Sequence, residues 1–273
     1  MPDIMMIITT TFFLRALIAV ILISFITGVI GSFTVFRGLT FITATIAHSV
    51  WAGAALGLLI QLYIAHWINP LIVTTLVGVL TALFISFLSR EDITEKFDVA
   101  IGVTFALSMS FAILLISMLR EYASMTFGLI VGDILLLSFE DLIYLVILTT
   151  ITIFLTILFL NQFIFISFDM EGAKAIGLNV EIYQTIMFVL IALSVVVMVK
   201  GVGAILVYAI LTIPPAAANE IAENVFHAMI LAFIFALISG LLGLLLSVFV
   251  NVAPSALMGL ISVIIYILVK IFK

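Results

Sequence analysis

His48 stands in the apolar run GLTFITATIAHSVWAGAALG, with Thr45 three residues before it and Ser49 beside it. A neutral imidazole is the commonest ligand for transition metals, and an ionisable side chain inside a membrane-like stretch points to a transport path. The same residue also suits a packing role, hydrogen-bonded to a backbone carbonyl between helices. His66, beside Trp67, and His227 stand at the ends of apolar runs and read as interfacial. Asp133, in FGLIVGDILLLS, reads either as a carboxylate that attracts cations at an outer mouth or as a helix cap. The 11 methionines are scattered without ligand spacing and read as packing.

Several chemistries are excluded. The chain has no cysteine, so it has no disulfide, thiolate nucleophile, zinc knuckle or iron–sulfur ligand. No histidine begins an HExxH pair, and Asp133 has no partner aspartate in another apolar run, as an intramembrane aspartyl protease requires. No lysine follows glycine and precedes serine or threonine, so the chain lacks a phosphate-cradling loop and any ATP use belongs to a partner. The chain therefore reads as a non-enzyme. With 14 acidic and 9 basic residues and no basic stripe, nucleic acid is not an expected partner.

What must position His48 is a bilayer fold. Hydrophobic residues make up 66% of the 273-residue chain and charged residues only 8%, against roughly a quarter charged in a soluble domain. At about 20 apolar residues per crossing, the uncharged intervals predict nine spans, at about 12–36, 38–64, 70–89, 99–119, 141–166, 181–199, 201–219, 225–250 and 254–271. Breaks within the two longest uncharged intervals fall at Asn69-Pro70 and around Asn251 to Pro254. Pro214 and Pro215 should kink the seventh span or make it partly re-entrant. The run 127–138 is too short to cross and reads as an extra helix at the membrane face. The first apolar run lacks the positive flank and cleavage site of a secretory signal and reads as a retained helix. The chain is then one all-α polytopic domain, residues 1–273.

Nine spans place the termini on opposite faces. Arg37, Arg90, Lys96, Lys174, Lys270 and Lys273 fall on one face, and Arg15, Arg120 and Lys200 on the other. The excess of basic residues places the first group, and the C-terminus, in the cytoplasm of a cell-membrane protein.

One hydrophilic segment has the pattern of a short capped helix: SFDMEGAKAIGLNVE, residues 167–181. Ser167 or Asp169 can cap its start, Glu171 suits the positive N-terminal end, Lys174 lies further along, and Gly177 can close it in a left-handed conformation. Gly172, Ala173 and Ala175 leave one side slim enough to enter a groove on another protein.

The stretch FDMEGAKAIGL resembles the cytoplasmic coupling loop of ATP-binding-cassette importer permeases of the zinc, manganese and iron family, where F-D-x-E-x-A-x-x-x-G recurs. FRGLTFITATIAHSVWAGAALG (36–57), FDVAIGVTFALSMS (97–110), FGLIVGDILLLSFEDL (127–142), KGVGAILVYAILTIPPAAA (200–218) and PSALMGLISVII (254–265) match in the same order. The resemblance implies a helix bundle similar to the permease fold of vitamin B12 and metal importers. It assigns Asp169, Glu171, Ala173, Lys174 and Gly177 to ATPase coupling and His48 to the metal path. Many members carry an aspartate four residues before this histidine, one turn away on the same face, where this chain has Ala44. Also implied are a permease homodimer, a separate ATPase subunit and an external metal-binding protein. A divalent metal would be the substrate, with no permanently bound cofactor. Two rivals are a permease for a metal chelate or cobalamin-like cofactor, typically longer, and a secondary transporter, which needs a coupling-ion site near the midplane.

Overall fold

A computed structural model describes residues 10–89, 95–119, 132, 134–250 and 252–273. Those residues form helices and turns, with no strand among them. The helices are α1 (Thr11–Phe36), α2 (Thr40–Tyr63), α3 (Pro70–Leu88), α4 (Glu95–Met118), α5 (Phe139–Leu158), α6 (Leu160–Phe168), α7 (Met170–Ala175), α8 (Val180–Val202), α9 (Ala204–Ile221), α10 (Val225–Val250) and α11 (Pro254–Phe272). Nine described helices, all but α6 and α7, are long and apolar enough to cross a bilayer. The protein is a polytopic all-α membrane bundle.

The helix starts follow local chemistry. Asn69 accepts the Leu71 N–H at 2.9 Å ahead of Pro70, and Asn224 accepts the His227 N–H at 2.9 Å. Ser138 and Asp141 form a reciprocal capping box at α5. Each satisfies donors that have no partner inside their own helix.

The bundle is centred on α2 and α8, whose apolar windows are 78% and 72% buried, whereas α11 is 22% buried at the rim. Hydropathy does not sort these helices, because the solvent outside is as apolar as the core. Small residues do: Gly53 lies against Val77 and Thr74, and Gly57 against Pro70, so α2 and α3 cross at backbone contact.

Two expectations need correction. The fifth span ends at Leu158 rather than near 166, and α6 follows a break at Phe159 (φ −104°, ψ 17°). The 20 residues of α5 already span about 30 Å, which exhausts the hydrocarbon thickness. Residues 127–131 and 133 of the expected membrane-face helix lie outside the described residues; further along, Ile134–Leu136 form a single tight turn, with Ile134 and Leu137 buried and Ile134 beside Gly201. Pro214 and Pro215 do not divide α9, whose 18 residues run to Ile221, about 27 Å. The Leu211 carbonyl, which Pro215 leaves without a helical donor, abuts Gly31 of α1, where no side chain holds it away. Beside these, α10 has 26 residues.

Candidate functional site

At one end of the bundle, α6 and α7 project from the spans. Asp169 is the cap: its carboxylate accepts the Gly172 N–H at 2.8 Å, while the Ser167 hydroxyl donates back to the Phe163 carbonyl. A Cβ on Gly172 would strike the Asp169 carboxylate, so the absence of a side chain there serves the cap. The helix closes at Gly177, φ +85°, with Leu178 N–H donating to the Ala173 carbonyl and Gly177 N–H to that of Lys174, each at 3.0 Å. Glu171, Lys174, Ala175 and Ile176 are exposed, as is Phe168 at the end of α6. Ala173 is fully buried against its own chain. The slim side expected to face another protein is therefore divided: Ala173 seats α7 on the bundle, and Ala175 and Ile176 face outward.

A second terminus meets this element. α1 ends in the same way as α7, with Leu39 N–H on the Thr34 carbonyl at 2.8 Å, Gly38 N–H on that of Val35 at 3.0 Å, and Gly38 at φ +65°. The turn turns the Arg37 side chain back over α6. Its Nη1 donates to the Ile166 carbonyl at 2.9 Å and its Nη2 to Gln184 Oε1 of α8 at 3.1 Å. Burial pushes the Arg37 guanidinium down to about 10, which leaves it charged at neutral pH. Phe36 meets Phe168 with ring centroids 5.6 Å apart, and Phe33 meets Phe163 at 5.7 Å.

His48 lies in α2 toward the middle of the bundle, half-buried, its ring edge-on to Phe105 of α4 at 5.0 Å. Its Nδ1 is buried and has no hydrogen-bond partner among the described residues. Ala44, one turn earlier, offers no oxygen. Among the described residues, no three His, Asp or Glu side chains come together as a metal cage. The arrangement suits brief contact with a soft or borderline cation rather than tight retention. His66 Nδ1–H donates to the Gln61 carbonyl at the exposed end of α2, and His227 lies at the start of α10. Asp133 lies outside the described residues. Pro214 and Pro215 are buried within α9.

Sequence reasoning missed two features. Arg37 counted only as an orientation charge, although an arginine just before a helix-closing glycine is placed to fold back. At the opposite end of the bundle, Lys200 at the end of α8 pairs with buried Asp141, whose other oxygen accepts from the Ser138 N–H and hydroxyl. The signal for this pair was the Ser138-x-x-Asp141 capping spacing together with a lysine in the last turn of α8.

The ABC 3 transport family matches residues 9–273. The manganese transport system membrane protein MntC of Listeria monocytogenes is 31% identical over 262 residues, 96% of this chain and 91% of the relative. The high-affinity zinc uptake system membrane protein ZnuB of Haemophilus influenzae is 28% identical over 94% of this chain and 96% of its own length. A chain of PsaBC from Streptococcus pneumoniae, solved in complex with Fab, superposes with TM-score 0.83 at 27% identity, covering 96% of this chain and 91% of that one.

Proposed function

The chain belongs to the ABC 3 transport family, and we propose that it is the membrane-spanning subunit of an ATP-driven importer whose substrate is a divalent transition metal, manganese or zinc. The observation that carries this reading is the sequence match along nearly the whole length to membrane proteins named for manganese and zinc transport, with the fold shared by PsaBC.

The machine would contain two copies of the chain, two ATPase subunits and an external metal-binding protein. ATP binding draws the ATPases together, and each takes with it the α6–α7 element, gripping Phe168, Glu171, Lys174 and Ile176. Asp169, Gly172 and Gly177 keep that element folded, and Ala173 keeps it seated. The spans then rock between outward and inward openings, and the ion passes His48. One imidazole with an unpartnered nitrogen can take a ligand position on a partly hydrated ion and give it up again, which a four-ligand site would resist. The α7 end carries Arg37, Lys174, Lys270 and Lys273, against Arg15 and Lys200 at the other end. That balance supports a cytoplasmic α7 and C-terminus.

The test is uptake of radiolabelled manganese or zinc by proteoliposomes that hold the chain with its candidate ATPase. Uptake should require ATP, and His48→Ala should lower it at least tenfold while the permease–ATPase complex is recovered in full. Uptake driven by an imposed ion gradient without the ATPase overturns the importer reading. Normal uptake by His48→Ala returns that residue to a packing role.

A further inference from the structure

We propose that Arg37 is the positioning residue that ties movement of the α6–α7 element to α2, the helix that carries His48. This inference rests on the importer reading above. The Arg37 guanidinium bridges two separate elements, the Ile166 carbonyl of α6 at 2.9 Å and Gln184 Oε1 of α8 at 3.1 Å. Ile166 lies in the last turn of α6, where a carbonyl has no donor within its own helix, so the arginine completes that terminus. A planar guanidinium offers several donors in a fixed fork, which suits two acceptors set on different helices.

The backbone that bears Arg37 is equally committed. Residues 37–39 are the whole connection between α1 and α2, and the Gly38 and Leu39 N–H groups are bonded back to α1. Leu39 also accepts the Ile42 N–H at 3.2 Å, so the same residue opens α2. A displacement of the Ile166 carbonyl therefore acts at once on the end of α1 and the start of α2. From Thr40, eight residues of helix, about 12 Å, lead to His48. The Phe36–Phe168 and Phe33–Phe163 ring pairs run beside the guanidinium and keep α6 against α1 during that motion. Among the described residues, no carboxylate pairs with Arg37; Asp98 lines the same open cleft without an ion pair to it. The bonds to neutral acceptors hold the elements in register and still permit a change of acceptor as the element moves.

The experiment compares the wild-type permease–ATPase complex with Arg37→Gln, Arg37→Lys and Gln184→Leu in proteoliposomes, measuring radiolabelled manganese moved per ATP hydrolysed and the KM for manganese. Arg37→Gln should lower the ion-to-ATP ratio at least tenfold with the KM unchanged and the ATPase still bound. Gln184→Leu, which keeps the arginine and removes one acceptor, should lower it about threefold, and Arg37→Lys should recover part of the loss. A wild-type ratio in Arg37→Gln overturns the proposal. If that variant does not assemble, a wild-type ratio in Gln184→Leu overturns it. A lack of ATP-driven uptake by the wild type overturns the importer reading, and this inference with it.

Discussion

Each end of the bundle holds a half-buried cation, but the two are held differently. At the end opposite α7, Lys200 meets the carboxylate of Asp141, which a capping box already fixes to the start of α5. At the α7 end, Arg37 meets a backbone carbonyl and a glutamine amide. An ion pair with a buried carboxylate resists separation, because parting the charges leaves one of them unpaired in apolar surroundings. A guanidinium on neutral acceptors is held by charge-assisted hydrogen bonds, each worth about 1.5–3 kcal/mol, and can exchange one neutral acceptor for another without parting an ion pair. The Lys200 end is built as a clamp and the α7 end as a joint.

Backbone glycines repeat the contrast. Gly132 and Gly38 have nearly equal φ, +66° and +65°. A Cβ on Gly132 would overlap the backbone of Val202 and Gly203, whereas a Cβ on Gly38 would meet nothing within 4 Å. Gly132→Ala should therefore have the largest effect, about 3 kcal/mol or more, because overpacking against backbone adds to the left-handed penalty. Thermal unfolding in detergent would show it, and an unchanged midpoint would break the comparison. Next comes Lys200→Met, which strands the Asp141 carboxylate. We expect a loss of about 2 kcal/mol, below the full cost of breaking a buried pair because Lys200 is one-third exposed. Asp141→Asn should cost less, since Lys200 can turn to water; equal losses would mean that the pair is not a clamp. The smallest effect belongs to Gly38→Ala, about 1 kcal/mol of backbone strain with no clash. A larger loss, measured the same way, would show that the turn at Gly38 is as tightly enclosed as that at Gly132.

The spans were legible because a bilayer makes charge and proline expensive within a helix, so both mark ends. Asn69-Pro70, Pro254 and Gly177 all behave as their chemistry predicts. Pro214-Pro215 leaves α9 unbroken, and a glycine on α1 lies against the Leu211 carbonyl that the proline ring releases. That neighbour is 180 positions away in sequence, and no local pattern encodes it. The same holds for Arg37, whose acceptors lie 129 and 147 residues on. His48 was legible as an oddity in an apolar helix. Its unpartnered Nδ1 was not, because satisfaction of a buried nitrogen depends on what the other helices bring. Ala173 misled for a related reason: small size marks a close approach but does not say whether the approaching surface belongs to the same chain.

The unequal helices carry a consequence for the lipid. α9, at 18 residues, falls about 3 Å short of an average hydrocarbon core, while α10, at 26 and packed beside it, exceeds that core. No single bilayer thickness matches both, so α10 leans or the leaflet thins beside α9. Rocking of the bundle changes that lean, and the surrounding membrane becomes an elastic load on the transport cycle: thicker or stiffer lipid favours whichever state stands the long helices upright.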